Sequence, residues 1–98
     1  MPRRETPRRI RNRARDDVLF SRSAFCTMVG VSERQLGIWE HEELLLPARV
    51  FEATGTAQPL YDRRALERAR IIRTLEQELE VNLPGIGIIL HLLDRLGR

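Results

Sequence analysis

The sequence predicts a mainly α-helical domain with one small β-hairpin, and three observations carry that prediction. An apolar stretch ends at Gly30 and runs straight into Ser32-Glu33-Arg34-Gln35, an S-x-x-Q capping box. A segment bounded by Pro47 and Pro59 holds Thr54-Gly55-Thr56 between short β-compatible runs. From Asp62 onward, apolar residues recur every three or four positions, broken once at Asn82-Leu83-Pro84. With 98 residues and 42% hydrophobic content, one compact domain with a modest core is expected, of a size often completed by a partner.

The first element is a tail. Residues 1–15 hold seven arginines against Glu5, a net +6, whereas the remainder sets ten arginines against thirteen acids, a net −3. With Pro2, Pro7 and few apolar groups, the tail cannot offset the entropy of ordering by burial. Residues 1–17 are therefore expected to form a disordered Arg-rich arm and residues 18–98 the folded domain. A basic arm on a mildly acidic body is the pattern of a chain that meets polyanions through its arm, here through Arg8, Arg9, Arg11 and Arg13. All seventeen cations are Arg, a choice that favours bidentate phosphate contacts and that a G+C-rich genome would also produce.

A short first helix is predicted from Phe20, with Ala24, Phe25, Met28 and Val29 at helical spacing and Ser21 or Ser23 as N-cap. Gly30 ends it, because glycine turns through positive φ at little cost. The capping box then opens a second helix, so the two make a helix-turn-helix. On the helical wheel Leu36 and Trp39 point inward, while Arg34, Ile38 and His41 share the opposite, solvent-facing side. Those three form the candidate reading face. Trp39 is assigned to the core rather than to stacking on a base.

Leu44, Leu45 and Leu46 are expected to close against the core before Pro47, and residues 47–59 to form a hairpin wing carrying Arg49. Asp62 caps a long helix through Leu66, Ala69, Ile72, Leu75 and Leu79, ending near Glu80, with Arg63 in its first turn. Pro84 fits the start of a last helix, whose core stripe is Ile86, Ile89, Leu90, Leu93 and Leu96. Ile88 and Leu92 add a second stripe that one small domain has little room to bury, so they are the candidate partner interface, with a second copy as one occupant. The expected architecture is a winged helix-turn-helix with a C-terminal apolar helix.

Other chemistries find little support. Cys26 is the one cysteine and sits among apolar neighbours, where it behaves as a small hydrophobe. His41 and His91 have no second ligand at metal-binding spacing, Glu42 and Glu43 read as solvated charges, and there is no Gly-rich phosphate loop. Neither catalysis, a metal nor a cofactor is expected. The apolar run from Ile86 to Leu93 is too short to span a bilayer, so a cytoplasmic location is expected.

With the segments placed, the run from Phe20 to Leu96 resembles the DNA-binding domain of MerR-type transcription regulators. The resemblance rests on Gly30-Val31-Ser32-Glu33-Arg34-Gln35-Leu36, Ile38-Trp39-Glu40, Leu44-Leu45-Leu46-Pro47-Ala48-Arg49, Leu60-Tyr61-Asp62 and Leu66-Glu67-Arg68-Ala69-Arg70, in that order. It implies that the second helix enters a DNA major groove while helix and wing residues hold phosphates, with Arg34 in the place of the family's Arg and transcription regulation as the function; Ile38 and His41 on the same face, Arg49 on the wing and Arg63 are the further candidate DNA contacts. Gly37 and Ile38 stand where the family has a second Arg and a Tyr, and Pro59 stands where its wing has an Arg. These departures weaken the body's grip on phosphate, and the arm offers compensation. The chain also resembles CbpM-type chaperone modulators, through Phe25-Cys26, Gly30-Val31-Ser32-Glu33 and the stretch from Leu83-Pro84-Gly85-Ile86 to Leu93-Asp94. That second resemblance implies an alternative function, binding a J-domain co-chaperone.

Overall fold

The computed structural model describes residues 18–97. The Arg-rich arm, with Arg8, Arg9, Arg11 and Arg13, lies outside the described residues. Within them the chain forms β1 (Phe20–Ser21), α1 (Arg22–Val29), α2 (Glu33–His41), β2 (Arg49–Ala53), β3 (Thr56–Tyr61), α3 (Arg63–Arg73) continued by a π-helical turn (Thr74–Glu78), and α4 (Leu83–Leu96). This is the expected winged helix-turn-helix.

Local chemistry explains each boundary. Ser21 rather than Ser23 caps α1, its Oγ accepting from the Ala24 amide at 3.1 Å, and the helix starts two residues later than the periodicity suggested. Phe20 and Ser21 are instead drawn into an antiparallel bridge with Tyr61 and Leu60, a third strand that two residues are too few to announce. Gly30 closes α1 at φ 88° and donates to the Cys26 carbonyl at 2.8 Å. Ser32, Asp62 and Asn82 cap α2, α3 and α4 through side-chain oxygens that accept from Gln35, Ala65 and Gly85.

The sheet order is β1-β3-β2, all antiparallel. β2 and β3 close through the Ala53 and Thr56 pair around Thr54 and Gly55, both at positive φ, as a two-residue type I′ hairpin requires. Pro59 is tolerated in the middle strand because β1 reaches only Leu60 and Tyr61.

One core holds the elements together. Phe25, Leu36, Trp39, Leu45, Tyr61, Ile72 and Ile86 are fully buried, and the Phe25 and Tyr61 rings stack at 4.4 Å. Several expected core positions fall outside it, including Leu79, which is 63% exposed, and Ile89, which is half-buried. Leu46 is 65% exposed, because left-handed Glu43 (φ 62°) turns Leu44 and Leu45 inward and the next residue leads out to the wing. In α4 only Ile86 and Leu90 are buried, whereas Leu93 is partly exposed and Leu96 is 81% exposed. A helix that meets a core along one side covers a narrow stripe, and the last turn of α4 runs past its edge. The long helix loses its regular ladder at the π turn, where the Leu79 amide donates to the Thr74 carbonyl. Glu80 then takes a left-handed φ of 56° and the chain turns toward α4.

Candidate nucleic-acid interface

Most residues of α2 are committed to the body of the domain. Leu36 and Trp39 are in the core. On one flank Glu40 is the centre of a polar network. Its Oε1 accepts from Arg22 Nη1 at 2.8 Å, its Oε2 accepts from the Tyr61 hydroxyl at 2.5 Å, and Arg22 Nη1 also lies 2.7 Å from that hydroxyl. Arg22 further donates to the Glu33 carbonyl at 3.2 Å and approaches the Glu33 carboxylate at 3.7 Å. Its guanidinium passes over Gly37, where a Cβ would stand 3.6 Å from Nη2. On the other flank Glu76, in the π turn, accepts from Gln35 Nε2 and from Trp39 Nε1, each at 3.1 Å.

This leaves Arg34, Ile38 and His41. All three are exposed, Ile38 at 37%, and they fall one turn apart on a single face. Arg49 opens β2, paired with Leu60, and Arg63 opens α3 directly after the Asp62 cap, so both flank the base of the wing. Both are exposed. The wing carries just Arg49 and Glu52 as charged residues, and Val50 and Phe51 stand exposed on β2. Ile88 and Leu92 are exposed on α4, away from the buried Ile86 and Leu90.

Sequence reasoning missed the clamps on α2. Neither Arg22 nor Glu76 falls in a pattern that singles it out. No local pattern links Arg22 to Glu40 and Tyr61, 18 and 39 residues away. Arg68 was overlooked in the same way. Its Nε donates to the Leu44 carbonyl at 2.7 Å and its Nη1 pairs with Asp94 at 3.0 Å, which ties the end of the helix-turn-helix to α4.

The network shifts the groups inside it. Burial, then the hydrogen bond and charge of Glu40, push the Tyr61 hydroxyl far above the usual tyrosine range. Burial alone would lower the Arg22 pKa, but Glu40 and Tyr61 outweigh it and leave it raised. Burial also pushes the Cys26 thiol up, with Glu33 and Glu40 assisting against Arg22. A neutral Tyr61 and a charged Arg22 are thus the forms in which the clamp holds. Among the described residues no group of three or more His, Cys, Asp or Glu could hold a metal ion, and no helix is long and apolar enough to cross a membrane.

Comparison with known proteins agrees with this geometry. Chaperone modulatory protein CbpM from Coxiella burnetii strain Dugway 5J108-111 is 38% identical over 50 residues, covering 49% of this chain and 47% of the relative. The protein of the same name from strain RSA 331 / Henzerling II matches to the same extent. The chain thus spans about half the length of these curated relatives. A family model described as MerR HTH family regulatory protein matches residues 20–98, which takes in every helix and strand described above. On that match, the chain belongs to the MerR family of helix-turn-helix regulatory proteins.

Proposed function

We propose that this protein is a non-enzymatic, cytoplasmic transcription regulator that binds DNA through the outer face of α2. The observation that carries the reading is the division of labour along that helix. Six of its nine residues are taken up by the core, by Arg22 or by Glu76, and the three left over form one exposed face with a cation, an apolar side chain and an imidazole. Such a face can give bidentate hydrogen bonds to a guanine from Arg34 and apolar contact to a thymine methyl from Ile38. Arg49 and Arg63 flank the wing where backbone phosphates would lie, and the basic arm of residues 1–17 adds charge that the body lacks.

The test is fluorescence anisotropy of the full chain against duplexes selected from a random pool and against scrambled controls, titrated across salt. We expect a sequence preference that survives moderate salt. Replacing Arg34 by Ala should weaken specific binding by about 1–3 kcal/mol. Removing residues 1–17 should flatten the salt dependence, because each phosphate that the arm ceases to neutralise reduces the slope by about 0.9. Equal binding to all duplexes would overturn the reading.

A second reading is favoured by the resemblance to CbpM and by the exposed Ile88 and Leu92 on α4. There the domain is an adaptor for a chaperone-system partner such as a J-domain protein, or pairs with a second copy through the same face. Pull-down of a J-domain protein that is lost on Leu92→Glu, with no sequence preference on DNA, would make the adaptor reading the better one.

A further inference from the structure

The clamp formed by Glu76 differs from the other contacts that α2 makes. Arg22, Glu40 and Tyr61 join α2 to its neighbours in the helix-turn-helix and to the wing strand β3. Glu76 comes from the far side, from the turn that leads toward α4. One carboxylate oxygen, Oε1, takes two donors from successive turns of α2, Gln35 Nε2 and Trp39 Nε1 at 3.1 Å each, and Oε2 lies 3.4 Å from the same Gln35 nitrogen. Two donors one turn apart on one carboxylate fix the rotation of a helix about its axis as well as its distance. Such rotation decides where an outer face points. Arg34 and Ile38 neighbour those two donors in sequence, so any rotation that strains the Glu76 contacts also sweeps the reading residues across the groove.

The position of Glu76 is itself unusual. It lies within the single π turn, Thr74–Glu78, where the Leu79 amide reaches back five residues to the Thr74 carbonyl at 3.1 Å. An extra residue in one turn changes the angle at which side chains leave the helix. π turns are rare and concentrate where a fold uses the altered angle. The indole of Trp39 is fully buried, so its N–H needs an acceptor, and Glu76 provides it.

We propose that Glu76 is a positioning residue for sequence recognition, setting the rotation of α2 through Trp39 and Gln35 so that Arg34, Ile38 and His41 meet successive bases in register. This rests on the DNA-binding reading given above. It predicts a separation that a merely structural residue would not produce. Non-specific attraction depends on charge and tolerates a rotated helix, whereas base contacts do not.

Trp39 is the one tryptophan in the chain and reports its own environment through fluorescence. The experiment compares wild type with Glu76→Ala and Glu76→Gln, at a temperature where circular dichroism shows all three folded. Affinity for the selected duplex and for a scrambled duplex is read together with the Trp39 emission of the free protein. The expected result for Glu76→Ala is a drop of about tenfold in the ratio of specific to non-specific affinity, the size expected when one base contact is no longer made in register. Its non-specific binding should match that of Glu76→Gln, which removes the same charge, and its Trp39 emission should be shifted. Glu76→Gln keeps an acceptor oxygen for the indole and should restore most of the ratio. Specific and non-specific binding falling in parallel, or an unchanged ratio, would overturn the proposal. Should wild type itself show no sequence preference, the DNA reading fails on its own. The positioning claim then stands or falls on Trp39 emission and on α2 amide exchange in Glu76→Ala, and wild-type values for both would overturn it.

Discussion

Helices α2 and α4 are both amphipathic and both in contact with the core, yet they finish their surfaces in opposite ways. In α2 the sides are tied down by Arg22 and Glu76, and what remains exposed is a narrow face of mixed chemistry. In α4 the apolar residues Ile86, Ile88, Ile89, Leu90, Leu92, Leu93 and Leu96 spread over roughly 200° of the helix at 100° per residue, and only Ile86 and Leu90 of them are buried. Ile88 stands 63% exposed. Exposure means different things on the two helices. On α2 it is the residue of a fully used helix, suited to reading a polar ligand. On α4 it is apolar area that the domain leaves uncovered, suited to another protein surface.

The sharpest way to break that contrast is to truncate two leucines two positions apart. Leu90→Ala opens a cavity in the core and should cost about 2–5 kcal/mol, whereas Leu92→Ala should stay within about 0.5 kcal/mol for the isolated chain. Chemical denaturation at low protein concentration measures both. A large cost at Leu92 that grew with protein concentration would show that α4 is buried by a second copy.

The polar flank of α2 gives an intermediate effect. Glu40→Ala removes the acceptor for both Arg22 and Tyr61, and leaving those partly buried groups unpaired should cost about 1–3 kcal/mol. Glu40→Gln retains an acceptor and should cost less. Thermal melts of the two variants would check this, and equal destabilisation would show that shape rather than hydrogen bonding holds the flank.

The effect that is smallest near neutral pH is a pH dependence. Tyr61 titrates higher in the folded chain than in the unfolded one, where its pKa is about 10. Its contribution is therefore intact below about pH 10 and lost as pH rises through the folded value. Cys26, raised from its ordinary 9.0, adds a decline of the same sign that begins about one unit lower. Stability should fall on the alkaline side, and Tyr61→Phe should flatten the part above pH 10 while leaving the part below it. A Tyr61→Phe profile that matched wild type would remove Tyr61 as the cause.

How much of this could be read from the sequence follows from range. Caps and turns are local, so Ser32, Asp62, Gly30 and the Thr54-Gly55 hairpin were legible in order, whereas Asn82 was read only as part of the break before α4 and in fact caps it. The inward side of α2 followed from periodicity, and so did its outer face. What escaped was set by tertiary partners. Phe20 and Ser21 became a strand because β3 was there to receive them. Leu93 and Leu96 read as core because a wheel shows which residues share a side and not how far along the helix the core extends. Arg22, Glu76 and Arg68 escaped because a charged residue looks the same in sequence whether it is solvated or clamps two helices together.

Gly37 has a consequence for how this chain can change. In mid-helix a glycine is about 0.5–1 kcal/mol worse than alanine, and the space above it is filled by the guanidinium of Arg22. An alanine methyl would reach only ordinary contact there, but a long side chain would compete with Arg22 for the same room and displace it from Glu40. An arginine placed at position 37 in the present background would put two guanidiniums beside one carboxylate. Positions 22 and 37 are therefore coupled by contact. A substitution at 37 that is harmful alone becomes tolerable once residue 22 has been shortened, and the order in which the two change decides which intermediates remain folded.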